Sequence, residues 1–217
     1  MSTQTSNNDD AQATAIKGLT EIGAFFHENR WSYGTSSNYS VVLSRDPLRI
    51  LITASGRDKS KLGPGDFTIV DEKGHTLDPK HPKPSAETLL HVVAAEVAHA
   101  GAVLHTHSIW GTLLSDLYAE KKGFTIEGFE MLKGLDGIDT HETKKWIEIF
   151  DNTQYIPDLA TQIRARLKHS SNPLRHGYLI RGHGLYTWGR NLDEARRHIE
   201  ILEFLFELCG RKLSLRA

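Results

Sequence analysis

His105 and His107 stand one residue apart at the end of the apolar run Ala102-Val103-Leu104. Apolar β-formers ahead of them predict a buried strand. The two-residue period of a strand turns both imidazoles to one face, where a single divalent metal can take both nitrogens. A third candidate ligand, His183, follows a second apolar run, Tyr178-Leu179-Ile180. Its neighbours Gly182 and Gly184 lack a Cβ and would let backbone and ring come close to a metal or substrate. Three imidazoles and one open position form the ligand set of a catalytic rather than a structural zinc site. With 12 histidines in the chain a lone one carries little weight, so the others, His91 among them, read as surface or hydrogen-bonded core residues.

Three small-polar loops punctuate the predicted strand ends: Gly34 to Asn38, Thr53 to Gly56, and Lys83 to Glu87. Their hydroxyls, side-chain amide and glycine-adjacent N–H groups are what a phosphate oxygen needs, above all near a helix N-terminus. None matches a P-loop or a dinucleotide fingerprint, and taken singly each reads as an ordinary turn.

The elements that must position these residues follow from pattern. Ala11 to Asn29 spaces its apolar residues as a one-sided helix. Tyr39–Leu43 and Arg49–Thr53 flank the turn signal Asp46-Pro47 as a hairpin, and a third strand covers Asp66 to Asp71. Ser85 is the expected N-cap of a helix over Ala86 to Ala100, with Glu87 in its first turn. Further helices are predicted over Ile109–Lys121, Pro157–His169 and Leu192–Leu208, and strands over Trp146–Phe150, Tyr178–Arg181 and Leu185–Trp188. Early hairpins followed by alternating helices and strands give an α/β class, a three-layer α/β/α fold around a mixed, mostly antiparallel sheet.

At 217 residues and 39% hydrophobic content, one core is affordable, and residues 11–217 read as a single domain behind a disordered polar tail over 1–10. A net charge of −1 with interspersed signs excludes an electrostatic footprint for nucleic acid or membrane. The single Cys209 fits a reducing compartment and reads as a packed core thiol. The N-terminus lacks the pattern of a secretory signal and no apolar run is long enough to span a bilayer, so a cytoplasmic protein is expected.

His105-Thr106-His107, Gly182-His183-Gly184, the loops at Asn38-Tyr39-Ser40 and Thr53-Ala54-Ser55-Gly56, and Pro84-Ser85-Ala86-Glu87 stand in the order found in the class II aldolase/adducin-head family. The chain resembles that family from about residue 15 to 210. Gly128 to Gly134, Asp151-Asn152-Thr153 and Leu179 to Arg190 are similar to its dehydratase branch in methionine salvage. The resemblance implies one Zn(II) per subunit on His105, His107 and His183, and a phosphate site drawn from Asn38, Ser55, Gly56, Ser85 and Lys133. It implies Glu130 as catalytic acid/base, with Glu87 as the alternative, since the family's sugar-phosphate aldolases use a carboxylate there as base. It further implies a homo-oligomer, a tetramer, acting on a small sugar phosphate.

On that reading the reaction is dehydration of 5-methylthioribulose 1-phosphate, and the fate of the C4 oxygen separates it from its relatives. Protonation of that oxygen expels water; removal of its proton breaks the C3–C4 bond, as in an aldolase, with a 4-epimerase as the further variant. Glu130 would remove the C3 proton and return it to the departing oxygen if Phe129, Met131 and Leu132 raise its pKa. A metal-free, adducin-like interaction module is the other class considered, and it predicts eroded ligands where this chain keeps all three histidines.

Overall fold

The computed structural model describes residues 2–169 and 171–215, with side chains from residue 9 onward. Eight strands form one sheet in the order β3-β2-β1-β4-β8-β7-β6-β5. In chain order they are β1 Asn38–Arg45, β2 Leu48–Thr53, β3 Phe67–Val70, β4 Ala102–Thr106, β5 Gly123–Glu127, β6 Lys144–Phe150, β7 Tyr178–Ile180 and β8 Gly184–Gly189. Among the described residues, β6 and β7 form the one parallel pair. The helices are α1 Ser2–Glu28, α2 Thr88–Val97, α3 Ile109–Leu117, α4 Ile156–Leu167 and α5 Leu192–Ser214.

Alternation along β4 explains the three layers. Ala102 and Leu104 join a core with α1, α3 and α5, while Val103 turns to the opposite core, built from α2 and α4. All five residues of β4 are buried because strands flank it on both edges and helices cover both faces. The expected mixed, mostly antiparallel α/β/α sandwich is the fold observed.

Several boundaries differ from the sequence reading, each for a local reason. Helix α1 continues back to Ser2 through the segment read as a polar tail. Helix α2 starts later than expected: Glu87, not Ser85, holds the N-cap position. Ser85 instead closes the preceding turn, where its Oγ accepts from the Glu87 N–H at 3.2 Å. The same helix stops at Val97, and His99 then takes a left-handed φ of 53°. Strand β5 and the 3₁₀ turn Glu130–Gly134 have no counterpart in the pattern reading, since Gly123-Phe124-Thr125-Ile126-Glu127 carries only two apolar side chains on its inner face.

The glycines around His183 serve the backbone rather than a ligand. Gly182 supplies the positive φ of 60° that the β7–β8 turn requires. A Cβ on Gly184 would lie 1.9 Å from the Thr106 carbonyl oxygen on β4. Gly184→Ala is therefore expected to lower stability by about 1–3 kcal/mol, the usual range for overpacking, measured by denaturant unfolding. An unchanged unfolding midpoint would show that β4 and β8 are free to move apart.

Candidate metal centre and substrate cavity

Strand register assembles the site. Opposite His105 on β4 lie Asn38 on β1 and Tyr186 on β8, so the three side chains form one row across the sheet on the α2–α4 face. The His105 ring stacks on Tyr186 at 4.0 Å and 12°. One residue beyond the end of β4, His107 keeps to the same face, its N–H donating to the Trp31 carbonyl at 2.8 Å. The β7–β8 turn delivers His183 from the neighbouring hairpin, and helix α3 steadies that turn: Thr112 Oγ1 donates to the His183 carbonyl at 3.0 Å and Gly182 N–H to Ser115 Oγ at 2.9 Å. Ring nitrogens of His105, His107 and His183 lie within 4.8 Å of one another.

The hydrogen bonding around these rings tests whether they suit a cation. His105 Nδ1 faces the Leu185 carbonyl oxygen at 2.9 Å, so it carries the proton and Nε2 keeps a lone pair. That lone pair points at His183 Nε2, 3.3 Å away, and at Glu87 Oε2, 3.7 Å away; Glu87 Oε1 lies 3.4 Å from His183 Nε2. Burial and the neighbouring imidazoles push His105 well below the usual histidine pKa and His107 down to about 4, which keeps both neutral. Three imidazoles converging beside a carboxylate fit a divalent cation, and their nitrogen-rich set suits zinc.

Glu87 is held in place by the row beside it. Asn38 Nδ2 and Tyr186 OH both donate to Oε2 at 2.7 Å. Behind Asn38, His91 Nε2 donates to Oδ1 at 2.5 Å while its Nδ1 accepts from Ser40 Oγ at 2.7 Å. His91, read from sequence as background, thus orients the amide that orients Glu87, and complete burial drives its pKa down to about 3. On the other face Thr106 Oγ1 donates to the buried Glu203 of α5 at 2.5 Å, tying the end of β4 to the second layer. His91 and Glu203 carry no motif of their own, and Tyr186, although inside the Leu179–Arg190 stretch that carries the resemblance, is shown to meet Glu87 only by the register.

A cavity of about 280 Å³ opens beside His107 and His183. Asn38, Ser55, Gly56 and Ser85 all line it, so the three small-polar loops do meet. The bond from Ser55 N–H to the Lys83 carbonyl at 2.9 Å straps two of them together. The Asn38 amide, expected to face phosphate, is spent on His91 and Glu87. Residues Asn152, Thr153 and Gln154, after β6, and the buried Lys59 complete the lining and were not singled out as site residues.

Glu130 and Lys133 are not brought to this cavity. Strand β5 leaves the metal end of the sheet, since Gly123 pairs with Glu148 near the end of β6 and Glu127 with Lys144 at its start. Glu130 therefore lies beyond the opposite end, its side chain 69% exposed and bonded to Lys133 Nζ at 2.7 Å, with His141 at 3.3 Å. The Lys133 ammonium holds the Glu130 carboxyl below the usual carboxylate range, the reverse of the elevation expected from its apolar neighbours. Those neighbours turn elsewhere: Leu132 is buried in the core and Met131 is exposed.

Residues 17–209 match the family described as class II aldolase and adducin N-terminal domain. The chain belongs to that family. It is 47% identical over 196 residues to a methylthioribulose-1-phosphate dehydratase of Marinobacter nauticus, an alignment spanning 90% of this chain and 92% of the relative. It is 46% identical over 196 residues to a protein of the same name from Pseudomonas syringae pv. tomato, spanning 90% and 93%. The crystal structure of L-fuculose-1-phosphate aldolase from Thermus thermophilus superposes with a TM-score of 0.72 at 21% identity, over 95% of this chain and 99% of that one. That likeness extends to the fold. Among the described residues no helix is long and apolar enough to cross a membrane.

Two outcomes follow from the centre. Replacing His105, His107 or His183 with Ala should remove most bound divalent metal, measured by elemental analysis after dialysis; stoichiometric metal in the triple variant would exclude this centre. The second concerns acid. His91 binds its proton more weakly folded than unfolded, so stability is fully present above the ordinary histidine pKa of 6.5 and is lost as pH falls toward about 3. His91→Gln should flatten the fall in unfolding free energy below about pH 6 by up to about 1.4 kcal/mol per pH unit. An unaltered slope would mean that His91 titrates normally.

Proposed function

We propose that this chain is a hydro-lyase that dehydrates 5-methylthioribulose 1-phosphate to 2,3-diketo-5-methylthiopentyl 1-phosphate, in the cytoplasm and within methionine salvage. The carrying observation is the three-histidine centre with its carboxylate in a chain 47% identical to a relative named for that dehydration. One Zn(II) per subunit, held by His105, His107 and His183, would supply Lewis-acid polarisation of the ketose carbonyl.

The residues of the chain divide the remaining work. Ser55, Gly56 and Ser85 offer hydroxyl and backbone donors to the phosphate, which sets the distance from C1 to the reacting carbons. Glu87 has one oxygen fixed by two donors and the other directed toward His183, so it can hold or take a proton without reorienting. In the reaction the C3 proton passes to a carboxylate, the C4–O bond breaks, and the departing oxygen takes a proton to leave as water. The enol left across C3 and C4 then becomes the ketone at C3, with C4 protonated. Glu130 joins this sequence as acid/base if a neighbouring subunit of a homotetramer carries it to the cavity, because its own chain holds it at the far end of the sheet.

Metal-loaded protein incubated with methylthioribulose 1-phosphate should yield a product lighter by one water, read by mass spectrometry. Two smaller fragments would instead mark an aldolase, and an unchanged mass with inverted C4 a 4-epimerase. Glu87→Gln and Glu130→Gln should each lower turnover at least about a hundredfold, within the usual range for acid/base groups, with zinc retained. Mixing the two inactive variants under subunit exchange should restore part of the turnover. Full activity in Glu130→Gln would leave Glu87 as the sole acid/base.

A further inference from the structure

Lys59 is buried to 1% exposure, yet it lines the substrate cavity. Its backbone is rigidly seated: Asp58 caps the short 3₁₀ turn Lys59–Lys61, and Gly23 of α1 packs so closely that a Cβ there would lie 2.3 Å from the Lys59 carbonyl oxygen. Its ammonium donates to the carbonyls of Arg57 at 2.7 Å and Thr35 at 3.3 Å. Two of the three N–H donors are thereby used, and among the described residues no carboxylate lies within 4 Å of Nζ. Burial without an ion-pair partner pushes the Lys59 pKa down to about 8.

An ammonium withdrawn from water is costly unless an opposite charge meets it. Among the described residues lining the cavity only Lys59 is a lysine or arginine, and the one carboxylate, Glu87, is committed to Asn38, Tyr186 and the imidazoles. Close by, Ser36 Oγ is buried in the same lining with no hydrogen-bond partner. A free N–H and an unused hydroxyl stand among loops rich in small polar residues, and an anion with several acceptor oxygens would satisfy both.

We propose that Lys59 is the counter-charge by which this cavity recognises the phosphate of its substrate, with Ser36 as a further donor, the role that sequence reading gave to Lys133. The proposal rests on the sugar-phosphate reading of the cavity but is tested apart from turnover. The probe is inorganic phosphate, titrated calorimetrically into metal-stripped protein so that the histidine centre does not compete. Lys59→Met should weaken phosphate binding about tenfold to a hundredfold, as expected for loss of a charge-assisted hydrogen bond. Lys59→Arg should recover part of it, and Lys133→Met should bind as the wild type does. Circular dichroism and zinc uptake at the wild-type level show that Lys59→Met is folded; if it is not, the comparison of Lys59→Arg and Ser36→Ala with wild type decides. Wild-type affinity in Lys59→Met, loss in Lys133→Met, or no phosphate binding by the wild type overturns the proposal. Phosphate binding that depends on Lys59 in a protein that fails to dehydrate the sugar phosphate keeps the anion site and removes only the substrate reading. Dehydration with an unchanged KM in Lys59→Met does the opposite.

Discussion

A lone pair on His105 Nε2, fixed by the bond from Nδ1 to the Leu185 carbonyl, faces His183 Nε2 at 3.3 Å and a Glu87 carboxylate oxygen at 3.7 Å. Ring nitrogens and a carboxylate converging at such distances form a place where a cation is stabilised. Much of the surrounding structure keeps that convergence in place. The antiparallel register of β4 with β1 and β8 supplies Asn38 and Tyr186 at the level of His105, α2 brings Glu87 and His91 down onto them, and α5 grips the back of the strand through Glu203 and Thr106. Both layers thus reach the centre through polar contacts, Glu87 and His91 from one side and Thr112, Ser115 and Glu203 from the other.

The legible part of this in sequence was what depends on local period. His-x-His at the end of an apolar run implies a shared face, because alternation along a strand is independent of the partner strands. Small-polar loops at strand ends imply turns at one edge of the sheet, and the cavity does collect them. Register is a different matter. Whether Asn38 stands beside His105 or two residues away is decided by the length of the intervening segments and by α2 packing, so His91 gave no signal beyond being a polar residue in apolar surroundings, and the resemblance that covers Tyr186 did not say what its hydroxyl meets. The same limit explains Lys59: burial of a lysine follows from the docking of α1 on a short 3₁₀ turn, which no local pattern announces.

Glu130 shows how a neighbourhood in sequence misleads about electrostatics. Phe129, Met131 and Leu132 suggest an apolar pocket that would raise a carboxyl pKa, but in a 3₁₀ turn successive side chains fan out in different directions. Leu132 goes inward, and Glu130 goes outward to meet Lys133 three residues on, where the turn stacks them. Apolar neighbours in sequence are therefore not apolar surroundings, and the ammonium determines the direction of the shift.

The same physics separates the two lysines. Lys133 and Glu130 neutralise each other at the surface, in water, where the pair is worth little and either partner could leave without penalty to the fold. Lys59 has surrendered its hydration and has received only two backbone carbonyls in exchange. Its charge also bears on the metal side of the cavity, since it contributes to holding His107 neutral. A cation at that place discourages protonation of a ligand nitrogen while attracting an anion to the loops, so one residue can serve both ends of a sugar phosphate without touching its reacting carbons.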